Sequence, residues 1–382
     1  MIVKGVNLGG WLLMEGYILG ARNIPESEFK TKFKNIYGRR ELKFFEKSFR
    51  DNFIKKEDLK RISSWGSNCV RVPFHHKFFE EKPYQYNKAS LLFIKKILRW
   101  ANEYNLKVIL DLHAACGSQN EDWHSDSKGK AQLWSNKHYR DRTYELWEYL
   151  ASNLKNEKAF YGYDILNEAV IDQSRLSVLK NFYKDTIKAI RRVDTKHIIY
   201  LEGNNWGQQI DFLQDILSEN IAISIHAYQP LNFTFNFVRN YKYPGKIDGS
   251  AWNKDKIKRY LEPYKKFSSK NKVDIYVGEF GVNYRGGCYG ELKWLSDILS
   301  VFKEFGFGWT YWVYKAVANN VFPDGVLQYL DNPAWVKRDG PILGIENLYK
   351  AWKGNKKKIV DSWKSSNYWV NSDIVRVLKK YF

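Results

Sequence analysis

The sequence predicts an α/β protein: a (β/α)8 TIM barrel, one domain with elaborated loops at the C-terminal face. Three observations predict it. Eight short apolar runs rich in Val, Ile and Tyr recur along the 382 residues, at 2–8, 69–74, 107–113, 161–167, 197–202, 221–228, 274–280 and 307–314. Most segments between them repeat apolar residues at helical spacing. Nearly every run ends in a polar or ionisable side chain. Buried-type strands alternating with amphipathic helices indicate parallel βα units, and eight such units can close into a barrel. A doubly wound sheet is the alternative, but no glycine-rich phosphate turn follows the first run. The length suits one domain of about 250 residues with insertions. The domain is expected over 1–382, with 315–382 forming the last loop and terminal helices.

The helices follow from their stripes. Leu91, Ile94, Leu98 and Ala101 share one face. So do Leu176, Leu179, Tyr183, Ile187 and Ile190, and likewise Leu292, Leu295, Leu299 and Phe302. The strand tips follow from the barrel, because such barrels carry their sites at the C-terminal ends of the strands. Those tips hold Asn7 and Glu15 after the first strand, Arg71 on the second, His113 on the third, and Asn167 with Glu168 on the fourth. Glu202 and Asn205 belong to the fifth, His226 and Tyr228 to the sixth, Glu279 to the seventh and Trp312 to the eighth.

Composition narrows the function. Lys and Arg number 62 against 42 Asp and Glu, a net charge of +20. The basic residues are scattered as on solvated helix faces, so no nucleic-acid partner is expected. No stretch of about 18 apolar residues occurs, so no membrane span is expected. The chain opens directly into a strand, without a charged segment and cleavage site, which predicts a cytoplasmic protein. Cys69, Cys116 and Cys288 match neither a disulfide framework nor a zinc spacing, so no metal is expected. Aromatic residues make up 17% of the chain, 15 of them Trp. That exceeds the needs of a core and points to flat rings lining a binding surface for sugars or bases.

"YDILNEAV" puts Glu168 at the tip of the fourth strand, and "YVGEFGV" puts Glu279 at the tip of the seventh. Across a barrel mouth these tips face each other. Two carboxylates in a rigid frame can split a glycosidic bond, one donating a proton to the leaving oxygen and the other attacking the anomeric carbon. Arg71 is expected to keep Glu279 ionised. Glu168 is expected to stay protonated through partial burial and the nearby negative charge, with His226 tuning it. Taken singly, His113 and Trp312 also fit core packing, and a lone strand-end glutamate fits a surface.

The segments "GVNLGGWLLMEG", "VRVPF", "DLHAACGSQN", "LNEA", "HAYQ", "VGEFG" and "GWTYWVYK" span residues 5 to 315 in order. With them the chain resembles glycoside hydrolase family 5, a family of retaining β-glycosidases, and most closely its exo-β-1,3-glucanase branch. The resemblance implies Glu168 as acid/base and Glu279 as nucleophile. It implies Asn167 at the substrate 2-hydroxyl, and Arg71, His113, His226 and Tyr228 around the bond-breaking subsite. Glu15 would bind the non-reducing-end sugar, and Trp312 would lie under the ring at the cleaved position. Trp309 and Tyr311 are expected to face outward. Ala169 stands where the family has proline, and "EDWHSDSKGKAQLW" departs from the branch's glycine-rich continuation.

The expected activity is exo-hydrolysis of β-glucan oligosaccharides through a covalent glycosyl-enzyme, with no cofactor. An endo-β-1,4-glucanase or β-mannanase on the same barrel is the alternative. A non-catalytic carbohydrate-binding barrel is disfavoured because both glutamates are present.

Overall fold

The computed structural model describes residues 1–20, 22–318, 321–329 and 345–382, with backbone alone for 345–350. Eight parallel strands form a closed barrel: β1 Lys4–Asn7, β2 Cys69–His75, β3 Lys107–Ala114, β4 Phe160–Asp164, β5 Ile198–Glu202, β6 Ile221–His226, β7 Asp274–Phe280 and β8 Gly308–Tyr311. Each pairs with its sequence neighbour, and β1 closes the ring on β8 through Lys4↔Trp309, Gly5↔Thr310 and Val6↔Tyr311. All eight expected strands are present. Several are shorter than their apolar runs, because the chain leaves the ladder before the functional residues. β4 ends at Asp164, three residues short of Asn167, and β8 ends one residue short of Trp312.

The outer layer holds α1 Glu26–Phe53, α2 Lys56–Ser64, α3 Lys88–Glu103, α4 Lys137–Leu154, α5 Leu176–Arg191, α6 Lys254–Asn271 and α7 Glu291–Phe305. Their starts are chemically marked. Asn87, Asn136 and Asn253 each accept backbone N–H groups of the first turn of α3, α4 and α6, satisfying donors that a helix cannot pair internally. α1 is broken at Gly38, whose φ of 85° a side chain would resist. The expected helix faces pack inward: Ile94, Leu98, Ala101, Leu179, Tyr183, Ile190, Leu295, Leu299 and Phe302 are all buried. The link from β5 to β6 departs from the pattern, with only short helical turns at Asn204–Gly207 and Asp211–Ile216.

Beyond β8 the chain does more than form a loop and helices. Lys315–Val317, Leu327–Tyr329 and Trp369–Val370 make a small three-stranded sheet. Helices α8 Ile345–Ser362 and α9 Ser372–Lys379 flank its last strand in the chain. Residues 319–320 and 330–344 of the expected last loop lie outside the described residues. Lys4 Nζ donates to the carbonyl of Tyr381 at 2.6 Å, and Lys315 Nζ to those of Phe53 and Trp363 at 2.6 and 2.5 Å. Those bonds tie the C-terminal segment to the barrel foot and to α1. No helix among the described residues is long and apolar enough to cross a membrane.

The barrel interior is layered. A small apolar cluster of Val3, Cys69, Ile109, Tyr200, Ala222 and Tyr276 fills its lower part, separate from the main core between strands and helices. Side chains two residues apart on a strand share a face. So Arg71, Asp111, Glu202, Ser224 and Gly278 stand directly above Cys69, Ile109, Tyr200, Ala222 and Tyr276. Above the apolar plug, therefore, the barrel is charged.

Candidate active site

Arg71 is fully buried on the barrel axis and gathers the charged layer. Its Nη1 donates to Glu279 Oε1 at 2.8 Å and to Asn7 Oδ1 at 3.1 Å. Its Nε donates to Asp164 Oδ2 at 2.8 Å, and its Nη2 to Asn167 Oδ1 at 2.9 Å and Glu202 Oε1 at 3.3 Å. Asp111 Oδ2 lies 3.2 Å from Nη2. An unpaired guanidinium at this depth would be prohibitively costly; here a planar fork of donors meets several acceptors at once.

Above Arg71 opens a cavity of about 410 Å³. Glu168, Glu279, His113, His226, Tyr228, Glu15 and Trp312 all line it. Seven expected site residues, drawn from six strand ends, therefore converge on one space. Arg71 and Asn167 do not line it. Both are fully buried one layer below, Arg71 under Glu279 and Asn167 bonded to Arg71, with its Nδ2 3.5 Å from His113 Nε2. Their reach to a ligand in the cavity runs through the groups they position.

Glu279 receives the Tyr228 hydroxyl on Oε2 at 2.9 Å and Arg71 on Oε1. Gly278 beside it is required, because a Cβ there would lie 2.8 Å from Ser224 Oγ and 3.2 Å from His226 Nε2. Glu168 sits in a left-handed turn, φ 46°, a conformation costing a glutamate about 1–3 kcal/mol. Two hydrogen bonds hold it there. Its N–H donates to Glu202 Oε2 at 2.7 Å, and its carbonyl accepts from Asn120 Nδ2 at 2.8 Å. An oxygen of each glutamate and a ring nitrogen of His226 all lie within 4.8 Å of one another.

The charge state of Glu168 differs from the sequence expectation. Burial pushes its carboxyl up, but the hydrogen bond and charge of His226, with the charge of His124, overcome it and hold it at about 2. Oε1 is 2.7 Å from His226 Nδ1, and Oε2 is 3.4 Å from His124 Nε2. His226 moves the other way: burial opposes its charge, but Glu202, Glu279 and Glu168 raise it well above an ordinary histidine. The two opposite shifts favour a carboxylate–imidazolium pair, with the shared proton on the imidazole. His113 is neutral, pushed by burial to about 3, and its ring lies parallel to Trp312 at 5.4 Å.

Trp312 is 3% exposed, more enclosed than a sugar platform is expected to be. His113 stacks on it, its indole N–H donates to the Tyr17 hydroxyl, and a Cβ on Gly9 would lie 2.8 Å from its ring. Trp309 and Tyr311 face outward as expected, Trp309 on Phe382 at 5.0 Å and Tyr311 on Phe280 at 5.6 Å. Glu15 is 2% exposed, and its Oε1 has no protein partner. Burial raises its carboxyl well above the usual range.

The structure adds residues that the sequence did not single out. Tyr17, Trp123 and Phe322 pack ring to ring, Tyr17 lying 6.0 Å from Trp123 and 4.8 Å from Phe322. They line the cavity together with Glu15. Trp206, exposed, stands at the mouth with its indole N–H on Asp122 Oδ2 at 2.8 Å. His124 reaches Glu168 from a loop 44 residues upstream, a proximity with no local signal.

A (β/α)8 barrel whose fourth and seventh strand ends bring two glutamates together over a buried arginine defines a glycoside hydrolase. The chain belongs to glycosyl hydrolase family 5: the cellulase family model matches residues 28–317. The chain is 27% identical over 382 residues to a β-xylosidase of Phanerodontia chrysosporium, covering 95% of this chain and 75% of the relative. It is 27% identical over 352 residues to endoglucanase C of Acetivibrio thermocellus, covering 83% and 92%. Among solved structures, Thermotoga maritima Cel5A in complex with cellobiose superposes with a TM-score of 0.64 at 18% identity, covering 99% of this chain and 96% of that one. That likeness bears on the fold.

Proposed function

We propose that the protein is a retaining β-glycosidase that attacks β-glucan oligosaccharides from the non-reducing end, with Glu279 as nucleophile and Glu168 as acid/base. The observation that carries this reading is the approach of the two carboxylates to within 4.8 Å. Retaining enzymes hold the pair about 5–5.5 Å apart, whereas inverting ones leave about 6.5–9.5 Å for a water.

Glu279 attacks the anomeric carbon while the glycosidic C–O bond breaks. The proton on the Glu168–His226 hydrogen bond passes through Glu168 to the leaving oxygen. Once Glu279 is esterified its negative charge is gone, and His226 keeps one fewer counter-charge. Water then attacks the anomeric carbon, breaking its bond to the Glu279 oxygen and giving a proton to Glu168, which frees Glu279 as a carboxylate. Arg71 and Tyr228 hold Glu279 for attack. The unpartnered Oε1 of Glu15 suits a sugar hydroxyl.

The exo mode is supported by the aromatic rings of Tyr17, Trp123 and Phe322, which share the cavity lining with Glu15 and pack against one another. We read the whole chain as one catalytic unit, since Lys4 and Lys315 bond the C-terminal segment to the barrel foot and to α1. The test is product analysis by NMR on defined β-1,3- and β-1,4-gluco-oligosaccharides and mannose counterparts. The expected product is β-glucose, released one unit at a time. An α-anomer at early times would remove the retaining mechanism. Mid-chain products would assign an endo-glucanase, and turnover of mannosides alone a mannanase.

A further inference from the structure

Glu202 ends β5 fully buried, and the reaction as written gives it no part. Its carboxylate nevertheless reaches three groups of the site. Oε2 accepts the backbone N–H of Glu168 at 2.7 Å. Oε1 lies 3.2 Å from His226 Nε2 and 3.3 Å from Arg71 Nη2. The His226 contact is an ion pair off the hydrogen-bond direction, so Nε2 lacks an aligned acceptor. The other ring nitrogen faces Glu168 at 2.7 Å. One imidazole thus stands between two carboxylates, and one of them also grips the left-handed turn that aims the other.

We propose that Glu202 is a positioning residue for the acid/base: it holds the turn of Glu168 through the backbone and supplies the counter-charge beneath His226. The proposal rests on the reading of Glu168 as acid/base. The other charged groups facing this pair are Glu279 of β7, Arg71 of β2, Asp111 of β3, Asp164 of β4 and His124 of the loop after β3. Arg71 is shared among several carboxylates and cannot neutralise Glu202 alone. Removing the Glu202 charge therefore leaves His226 with less reason to keep its proton, while a glutamine carbonyl can still accept the Glu168 N–H.

The test is Glu202→Gln, read three ways: kinetics on aryl β-glycosides of graded leaving group, the pH profile of kcat/KM, and the ¹⁵N signals of His226. A group that serves proton donation matters more as the leaving group worsens, so kcat should fall about 10-fold or more with a poor leaving group and about 3-fold or less with dinitrophenolate, with KM little changed. The basic limb should move to lower pH. At pH 7 the His226 nitrogens should shift from imidazolium toward the neutral ring. Asp164→Asn removes another Arg71 partner without touching Glu168 or His226, and its loss should not depend on the leaving group.

Equal losses of Glu202→Gln across leaving groups, with an unmoved pH profile, would overturn the proposal. So would a neutral His226 in the parent at pH 7, a measurement that does not require the variant to fold. If the parent hydrolyses no β-glycoside, the acid/base reading has failed, and the His226 signals still decide what Glu202 does to the ring.

Discussion

His226 Nδ1 lies 2.7 Å from Glu168 Oε1 and 3.6 Å from Glu279 Oε2. One ring thus touches both carboxylates, and each sees a different balance. Glu279 also has Arg71 and the Tyr228 hydroxyl, whereas Glu168 has a second imidazole, His124. Different neighbours around two like groups are what separates nucleophile from acid. Glu279→Ala should abolish turnover of every substrate. Glu168→Ala should spare dinitrophenyl glycosides relative to disaccharides, because a good leaving group needs little protonation. Steady-state kinetics over a leaving-group series checks both, and matching profiles for the two variants would reverse or remove the assignment.

His124 carries a pH-dependent share of stability. Burial opposes its charge, but the Asp122 hydrogen bond and Glu168 raise it to about 9 from an ordinary 6.5. A histidine raised in the folded state stabilises fully below its unfolded value and loses that contribution as pH rises through its folded value. His124→Gln should therefore melt lower than the parent near pH 6, with the gap closing between 6.5 and 9. Calorimetry across that range checks it, and a gap independent of pH would mean the ring is neutral throughout.

Trp312 combines a buried hydrogen bond with a place in the cavity wall. Trp312→Phe shrinks the surface against the sugar and removes the indole donor to the Tyr17 hydroxyl. The contact is stronger against a flattened transition-state ring, so kcat and kcat/KM should both fall about 10-fold, roughly 1.4 kcal/mol. Losing the buried Trp312–Tyr17 hydrogen bond should also lower stability, by about 0.5–1.5 kcal/mol. Tyr17→Phe leaves the indole N–H unpaired instead and should reproduce the stability loss with a smaller kinetic one. Kinetics and melting of both variants separate the two contributions. Parent-like kinetics in Trp312→Phe would return the ring to the core.

Glu15 has one buried oxygen without a protein partner. If a substrate hydroxyl completes it, Glu15→Gln should raise KM for oligosaccharides and leave the melting temperature within about 1 °C. Glu15→Leu, which removes both oxygens, should cost about 10-fold or more in kcat/KM. An unchanged kcat/KM in Glu15→Leu would place the sugar elsewhere.

The barrel was legible because each strand and helix writes its own period into neighbouring residues. The strand tips followed from the strands, so Glu15, His113, Glu168, His226, Tyr228, Glu279 and Trp312 could be named from local pattern and resemblance, and the structure places all seven on one cavity. Their company was not legible. His124 arrives from a loop of irregular sequence and Phe322 from beyond β8, while Glu202 was legible as a strand tip but its grip on the Glu168 turn had no local signal.

What the sequence by itself determined is the alternation of elements, and with it which residues reach the C-terminal face. What only the tertiary structure decided is depth and charge. Arg71 lies beneath the cavity rather than in its wall because the interior alternation of β2 sets it one layer down, and Asn167, beyond the end of β4, lies there because it bonds Arg71. Glu168 is held toward the carboxylate rather than protonated, because two imidazoles from separate elements outweigh its burial. A protonation state is a sum over charges within a few ångströms in a medium that screens them weakly. That sum is set by distances across the barrel, which no single stretch of chain contains.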